Sequence, residues 1–249
     1  MIQRGNQAVL TGDIIGSSRL PRRQLEAVRS SLIRAVDEVK RWKRGLVRGR
    51  PEFFRGDGWQ LLLTDPSMAL RVSIFLRASL LAKGIADTRV ATGLGAGSET
   101  PFKRVALSTG QAFVLSGHAL DQMTQYSRMT IEVPKSAGPV SDWMPVIGHL
   151  CDALIGQWTR RQAQIVCVAI HPKEPDYQDV ARLLRPTVSK QAVAKALRAA
   201  NWHVVRETIR GFEEMPWAAL LQREETPSKS TEAERQPKMV VSAQTTKNG

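Results

Sequence analysis

Two aspartates lie where a carboxylate needs a reason. Asp13 sits inside the apolar run Ala8-Val9-Leu10-Thr11-Gly12-Asp13-Ile14-Ile15, which breaks at Gly16-Ser17-Ser18. A charge inside a buried strand is costly unless it is paired or holds a metal. Asp57 falls in Arg55-Gly56-Asp57-Gly58-Trp59, a tight turn between two apolar segments and so a hairpin signal. If the two strands are neighbours, Asp13 and Asp57 converge at one end of a sheet. Two carboxylates with a backbone carbonyl suit Mg²⁺ or Mn²⁺ carrying a nucleotide phosphate. Without a cation, the two carboxylates repel one another. Taken singly, Asp13 reads as tied up by local hydrogen bonds and Asp57 as a turn residue; the pair is what points to a site.

Other chemistries find less support. Ser17 and Ser18 have no His–Asp partner by spacing, which argues against a hydrolytic triad. His118, His149, His171 and His203 are scattered and read as ordinary surface or core histidines. Cys151 and Cys167 have no CxxC spacing, so a zinc site or a disulfide framework is not expected. They read as two buried thiols in a reducing compartment.

The elements that must position the aspartates follow from periodicity. After Ser18, Pro21 opens a helix whose apolar stripe is Leu25, Val28, Leu32, Val36, Val39 and Trp42. The basic segment from Lys40 to Arg55 reads as a loop, facing solvent or a phosphate. Strands are expected at Phe53–Arg55 and Trp59–Thr64. Asp65-Pro66 starts a helix that Gly84 ends. Thr88–Gly95 is the next strand, and its glycines point to a backbone approached closely by a strand or a ligand. Strand, helix, strand, strand, helix, strand is the ferredoxin-like order. A helix over Gly110–Met123 and a strand over Met129–Val133 follow. The expected organisation is an α/β (α+β) ferredoxin-like palm over residues 1–133, a linker at 134–141, a helical domain at 142–222 and a disordered tail at 223–249.

The net charge of +13 over 249 residues argues for polyanionic partners. No signal-peptide core follows Met1 and no run is long enough to span a bilayer, so a cytoplasmic protein without a membrane partner is expected.

The first half resembles the SatD-like family and, more distantly, the palm domain of class III nucleotidyl cyclases. The resemblance is carried by Gly12-Asp13-Ile14-Ile15-Gly16-Ser17, Arg55-Gly56-Asp57-Gly58, Arg89-Val90-Ala91-Thr92-Gly93-Leu94-Gly95 and Gln111-Ala112-Phe113-Val114-Leu115-Ser116-Gly117-His118-Ala119-Leu120, in order over residues 8–133. It implies that Asp13 and Asp57 bind Mg²⁺ or Mn²⁺ with help from the Ile14 carbonyl. A nucleoside triphosphate or other nucleotide would lie against Gly16, Ser17 and Ser18, with Gly56 and Gly58 at the hairpin. The helix over Gly110–Met123 lacks the Asn-plus-Arg pair that stabilises the cyclase transition state. Arg128 and Lys103 are the cations that could be recruited from nearby instead, and no catalytic residue is assigned.

The second half resembles bacterial helix-turn-helix regulators. Trp158–Val166 is similar to the opening helix of LuxR-type and sigma-like modules, and Val188–Leu197 to a recognition helix. Ser189 would cap that helix, leaving Lys190, Gln191, Lys195 and Arg198 outward to meet double-stranded DNA. A small helical bundle that binds protein or a second copy of itself is the competing reading. Trp158 and Trp202 read as core. Two functions therefore stand. One is a DNA-binding transcriptional regulator, expected as a homodimer, with a metal- and nucleotide-sensing palm. The other is a metal-dependent nucleotidyl cyclase or related nucleotidyltransferase with a DNA- or partner-binding appendage.

Overall fold

A computed structural model describes residues 5–54, 56–96 and 110–222. Arg55, Lys103 and the expected tail at 223–249 lie outside the described residues. Alternating apolar residues build β1 (Asn6–Ile14), which lies at the centre of a five-stranded sheet. Its neighbours are β3 (Gly58–Leu63) and β4 (Thr88–Ala96), both antiparallel to it. β2 (Val47–Phe54) flanks β3, and β5 (Met129–Glu132) runs parallel to β4, giving the order β2-β3-β1-β4-β5. The first four strands have the antiparallel ferredoxin-like order expected from the sequence.

Each face of the sheet takes one parity of β1. Ala8, Leu10 and Ile14 join the main core, which includes the inward residues of α1 (Arg22–Trp42) and α2 (Ala69–Lys83). Val9 packs on the other face with Leu62 and with Ala112 of α3 (Gln111–Gln122). On that second face the Thr11 and Ser116 hydroxyls hydrogen-bond at 2.8 Å. Gly93 lets α3 lie this close: a Cβ there would meet the Ala112 carbonyl oxygen at 2.3 Å. Asp13 shares the parity of Val9 and Thr11, so it projects on the α3 side at the end of β1.

The basic segment expected as a loop is half strand. α1 ends at Trp42, and β2 begins at Val47, whose side chain is buried against the core. A register shift between Arg48 and Glu52 absorbs Gly49-Arg50-Pro51 and hides the strand's alternation. The expected linker is also built structure. Lys135–Ala137 forms a single 3-10 turn and α4 starts at Val140 (Val140–Ile155), with Ala137 and Ser141 buried. Gly138, at φ +69°, turns the chain between the two.

Four further helices complete the helical half: α5 (Arg160–Ala169), α6 (Tyr177–Leu183), α7 (Lys190–Ala199) and α8 (Trp202–Glu213), with a short α9 (Trp217–Leu220) after them. One apolar cluster runs from Leu10 in the sheet to Trp217 in α9. α2 is the shared wall: it is buried nearly all round, the signature of a helix with neighbours on both sides. Two of its arginines reach across into the helical half. Arg71 makes a bidentate pair with Glu213 at 2.6 and 2.9 Å and donates to the Ile170 carbonyl at 2.7 Å. Arg77, fully buried, donates to Asp87 at 3.0 Å and to Asp152 of α4 at 2.5 Å. Cys151 and Cys167 are both free thiols. No helix among the described residues is long and apolar enough to cross a membrane.

Candidate functional site

The strand register brings the two aspartates together. Asp13 pairs in register with Gly58, and the Ile14 amide donates to the Asp57 carbonyl at 3.2 Å. Two glycines make this end of the sheet possible. Gly12 lies under the Trp59 ring, which a Cβ would meet at 2.5 Å, and the Trp59 indole donates to Thr88 at 2.8 Å. Gly16 turns the chain out of β1 with φ +68°, a backbone state that costs a side chain energy. The result is a cleft of about 350 Å³ lined by Asp13, Ile14, Ile15, Gly16, Ser17, Ser18 and Asp57, with Arg89, Gln125, Ser127 and Arg128 closing it. Gly56, at φ +91°, holds the hairpin turn before Asp57, and its carbonyl accepts from Arg29 of α1. Gly58 lies against the Phe54 ring, outside the lining of the cleft.

The expected repulsion between the carboxylates is relieved by a residue that spacing alone did not single out. Arg89 is the register partner of Asp13 across β1 and β4. Its guanidinium clamps Asp13 through both carboxylate oxygens, with Nε to Oδ1 at 2.9 Å and Nη2 to Oδ2. Such forked, charge-assisted pairs are the strong ones. The Asp13 carboxylate in turn holds the Arg89 guanidinium above its usual range, against the opposing effect of burial. Asp57 accepts a 2.5 Å hydrogen bond from the Ser17 hydroxyl. Arg128 reaches the cleft from just before β5, and Asp87 holds it at 3.0 Å. Asp87 also accepts from buried Arg77, and its carbonyl takes the Ile15 amide at 2.9 Å. The cleft wall is thus fixed to α2 and α4 through one network of charges.

The donors are all hard oxygens, which fits Mg²⁺ or Mn²⁺ in kind. Among the described residues no cluster of three or more His, Cys, Asp or Glu side chains exists, so carbonyl and hydroxyl oxygens would have to complete the shell. A cation also has to win one Asp13 oxygen from Arg89.

In the helical half, α5 begins in a capping box: Thr159 accepts from the Gln162 amide, and Gln162 accepts from the Thr159 amide. Ser189 caps α7 by accepting from the Ala192 amide at 3.1 Å. Val193 and Leu197 of α7 are buried, while Ser189, Lys190, Gln191, Lys195 and Arg198 are all exposed. Trp158 is buried with its indole on the Ala200 carbonyl at 2.8 Å, and Trp202 is buried as well, as core residues should be. His118, His149 and His203 are exposed, and His171 is half-buried.

No family model matches the chain. No curated protein matches it either. The resemblance to the SatD-like family therefore has no matching model behind it. Among solved structures, that of the guanylyl cyclase Cya2 is 17% identical over 53% of this chain and 76% of that one, with a TM-score of 0.37. The α+β palm stands on this chain's own strand order, not on that loose likeness.

Proposed function

We propose that the cleft at the end of β1 binds the phosphates of a nucleotide together with Mg²⁺ or Mn²⁺. The observation that supports this is the convergence of Asp13, Asp57, the Ile14–Ser18 turn, Arg89 and Arg128 in one cleft. Asp13 and Asp57 would hold the cation, with the Ile14 carbonyl and the Ser17 hydroxyl in reach of it. When bound, the cation would screen the phosphate charge. Arg89 holds Asp13 through both carboxylate oxygens, and a cation seated on Asp13 would leave that guanidinium able to meet a phosphate. Gly16 and Ser18 supply backbone and hydroxyl along the same wall.

Two functions share this cleft. In a sensor, nucleotide binding is the whole event. In a metal-dependent nucleotidyl cyclase or nucleotidyltransferase, transfer follows, and two arginines on one cleft supply positive charge where negative charge would develop. The presence of Arg128 in the cleft favours keeping this enzymatic reading. Incubation of the full chain with Mn²⁺ and each nucleoside triphosphate separates them by mass spectrometry. A cyclic or transferred product selects the enzyme, and bound unchanged nucleotide selects the sensor. Absence of any bound nucleotide removes both.

The helical half is proposed to bind duplex DNA through α7. The support is its division into a buried Val193–Leu197 side and an exposed face with Lys190, Gln191, Lys195 and Arg198. Each phosphate contact contributes about 0.9 to the slope of log affinity against log salt. Lys190→Ala with Arg198→Ala in the full chain should therefore weaken DNA binding and flatten that slope. Salt-insensitive binding, or none at low salt, removes this reading and leaves the cleft untouched.

A further inference from the structure

A second cavity, of about 1090 Å³, shares no lining residue with the Asp13 cleft and opens between the two halves of the chain. On one side are α1 and α2. On the other are α5, α6 and the segment at Leu184 and Arg185 that leads into α7. Its aromatic wall is Trp42, packed on Phe75 at 4.7 Å between centroids and edge-on to His171 at 5.9 Å. The indole N–H of Trp42 is buried and has no hydrogen-bond partner.

The charge of the lining is one-sided. Lys83, Arg160, Arg161, Lys173, Arg182 and Arg185 face Glu38 and Asp179. Both acids already have partners: Glu38 accepts from Arg41 at 2.6 Å, and Asp179 pairs with Arg182 at 3.5 Å. Arg160 donates to the Ala82 carbonyl and Arg161 to the Gln164 side chain, neutral acceptors that leave their charge uncancelled. Among the described residues, neither Lys83 nor Lys173 has an ion-pair partner within 4.0 Å, whereas the acids on the same wall do.

We infer that this cavity binds a small anionic ligand with a planar apolar body, of the aromatic carboxylate, sulfonate or phosphate ester class. The anion meets the cationic rim, and the body lies against Trp42, Phe75 and Val168. The volume lies just above the usual range of small-molecule pockets, about 300–1,000 Å³, so a ligand of that class fits with room to spare. A ligand seated there touches the palm helices and the approach to α7 at once. The inference does not depend on what the Asp13 cleft binds.

The test uses the full chain and two probes of one shape. Anilinonaphthalene sulfonate carries the anion, and phenylnaphthylamine lacks it. The sulfonate should bind saturably, shift the Trp42 indole N–H resonance, and bind about tenfold more tightly than the neutral probe. Lys83→Gln with Lys173→Gln, both surface changes, should weaken the sulfonate about tenfold, as two lost ion contacts imply. Val168→Trp keeps every charge and should block the probe by filling the space. The inference is overturned by a sulfonate that does not bind, by equal binding of the two probes, or by unchanged binding in either variant.

Discussion

Arg89→Met separates two contributions that the cleft combines. The Arg89 and Asp13 side chains are 30% and 22% exposed, so their pair is neither a surface ion pair nor a fully buried one. Exposed pairs contribute about 0–1 kcal/mol, and breaking a buried pair costs about 3–5 kcal/mol. A forked pair at this depth should contribute about 1–2 kcal/mol. Without ligand, Arg89→Met should therefore lower the unfolding free energy by that amount in urea. Mn²⁺ binding should move the other way. The cation no longer competes with a guanidinium for Asp13, and about 1 kcal/mol of relieved competition is roughly fivefold in affinity. Nucleotide affinity in the presence of saturating Mn²⁺ should fall, because the released guanidinium is gone. Electron paramagnetic resonance of free Mn²⁺ reads the first affinity, and calorimetry with a nucleoside triphosphate reads the second. Unchanged or weaker Mn²⁺ binding in Arg89→Met would refute the competition on which the cleft's chemistry rests.

Two further outcomes follow from the same network and sheet. Arg77→Met leaves Asp87 and Asp152 facing a buried methionine, and chemical denaturation should show a loss of about 3–5 kcal/mol. Burial lifts the Glu132 carboxyl on β5 above its usual value, with Lys135 and His149 pulling it down in part. A carboxyl raised in the fold subtracts stability once the pH exceeds its unfolded value, and that loss disappears as the pH falls below it. Glu132→Gln should therefore raise the melting temperature at neutral pH, and the gain should fade through the carboxylate range. A gain that does not change with pH would mean that the carboxyl is not the cause.

The sheet was legible where a turn and an alternation agreed. Gly56-Asp57-Gly58 marked the hairpin and the apolar run around Asp13 marked a strand, so the meeting of Asp13 and Asp57 could be expected on the one condition that these strands are neighbours, which the register of β1 and β3 meets. Arg89 could not be singled out in that way. It opens a strand that the sequence did show, but its place opposite Asp13 exists only once β1 and β4 are in register. Only the end of β2, at Phe53 and Phe54, was legible, because Gly49 and Pro51 interrupt the period of the residues before it. α2 was legible as a helix between Asp65-Pro66 and Gly84, and Arg71 and Arg77 concealed how completely it is buried. Only their carboxylate partners on distant elements make that burial affordable. The cap at Ser189 was legible because a short polar side chain before an apolar period has one common use. The cavity beside Trp42 had no local signal, since four separate helices wall it.

The central claim is that Asp13 and Asp57 together seat a cation and a nucleotide phosphate. Thermal unfolding with Mg²⁺ or Mn²⁺ plus a nucleoside triphosphate tests it most directly, because a ligand that binds only the folded chain stabilises it by mass action. The account predicts a rise in melting temperature for the wild type that is lost in both Asp13→Asn and Asp57→Asn. Ligand-free Asp13→Asn should fall modestly, by the worth of its clamp to Arg89. A wild type that ignores metal and nucleotide, with both variants strongly destabilised in their absence, would show the aspartates to be structural and contradict the account.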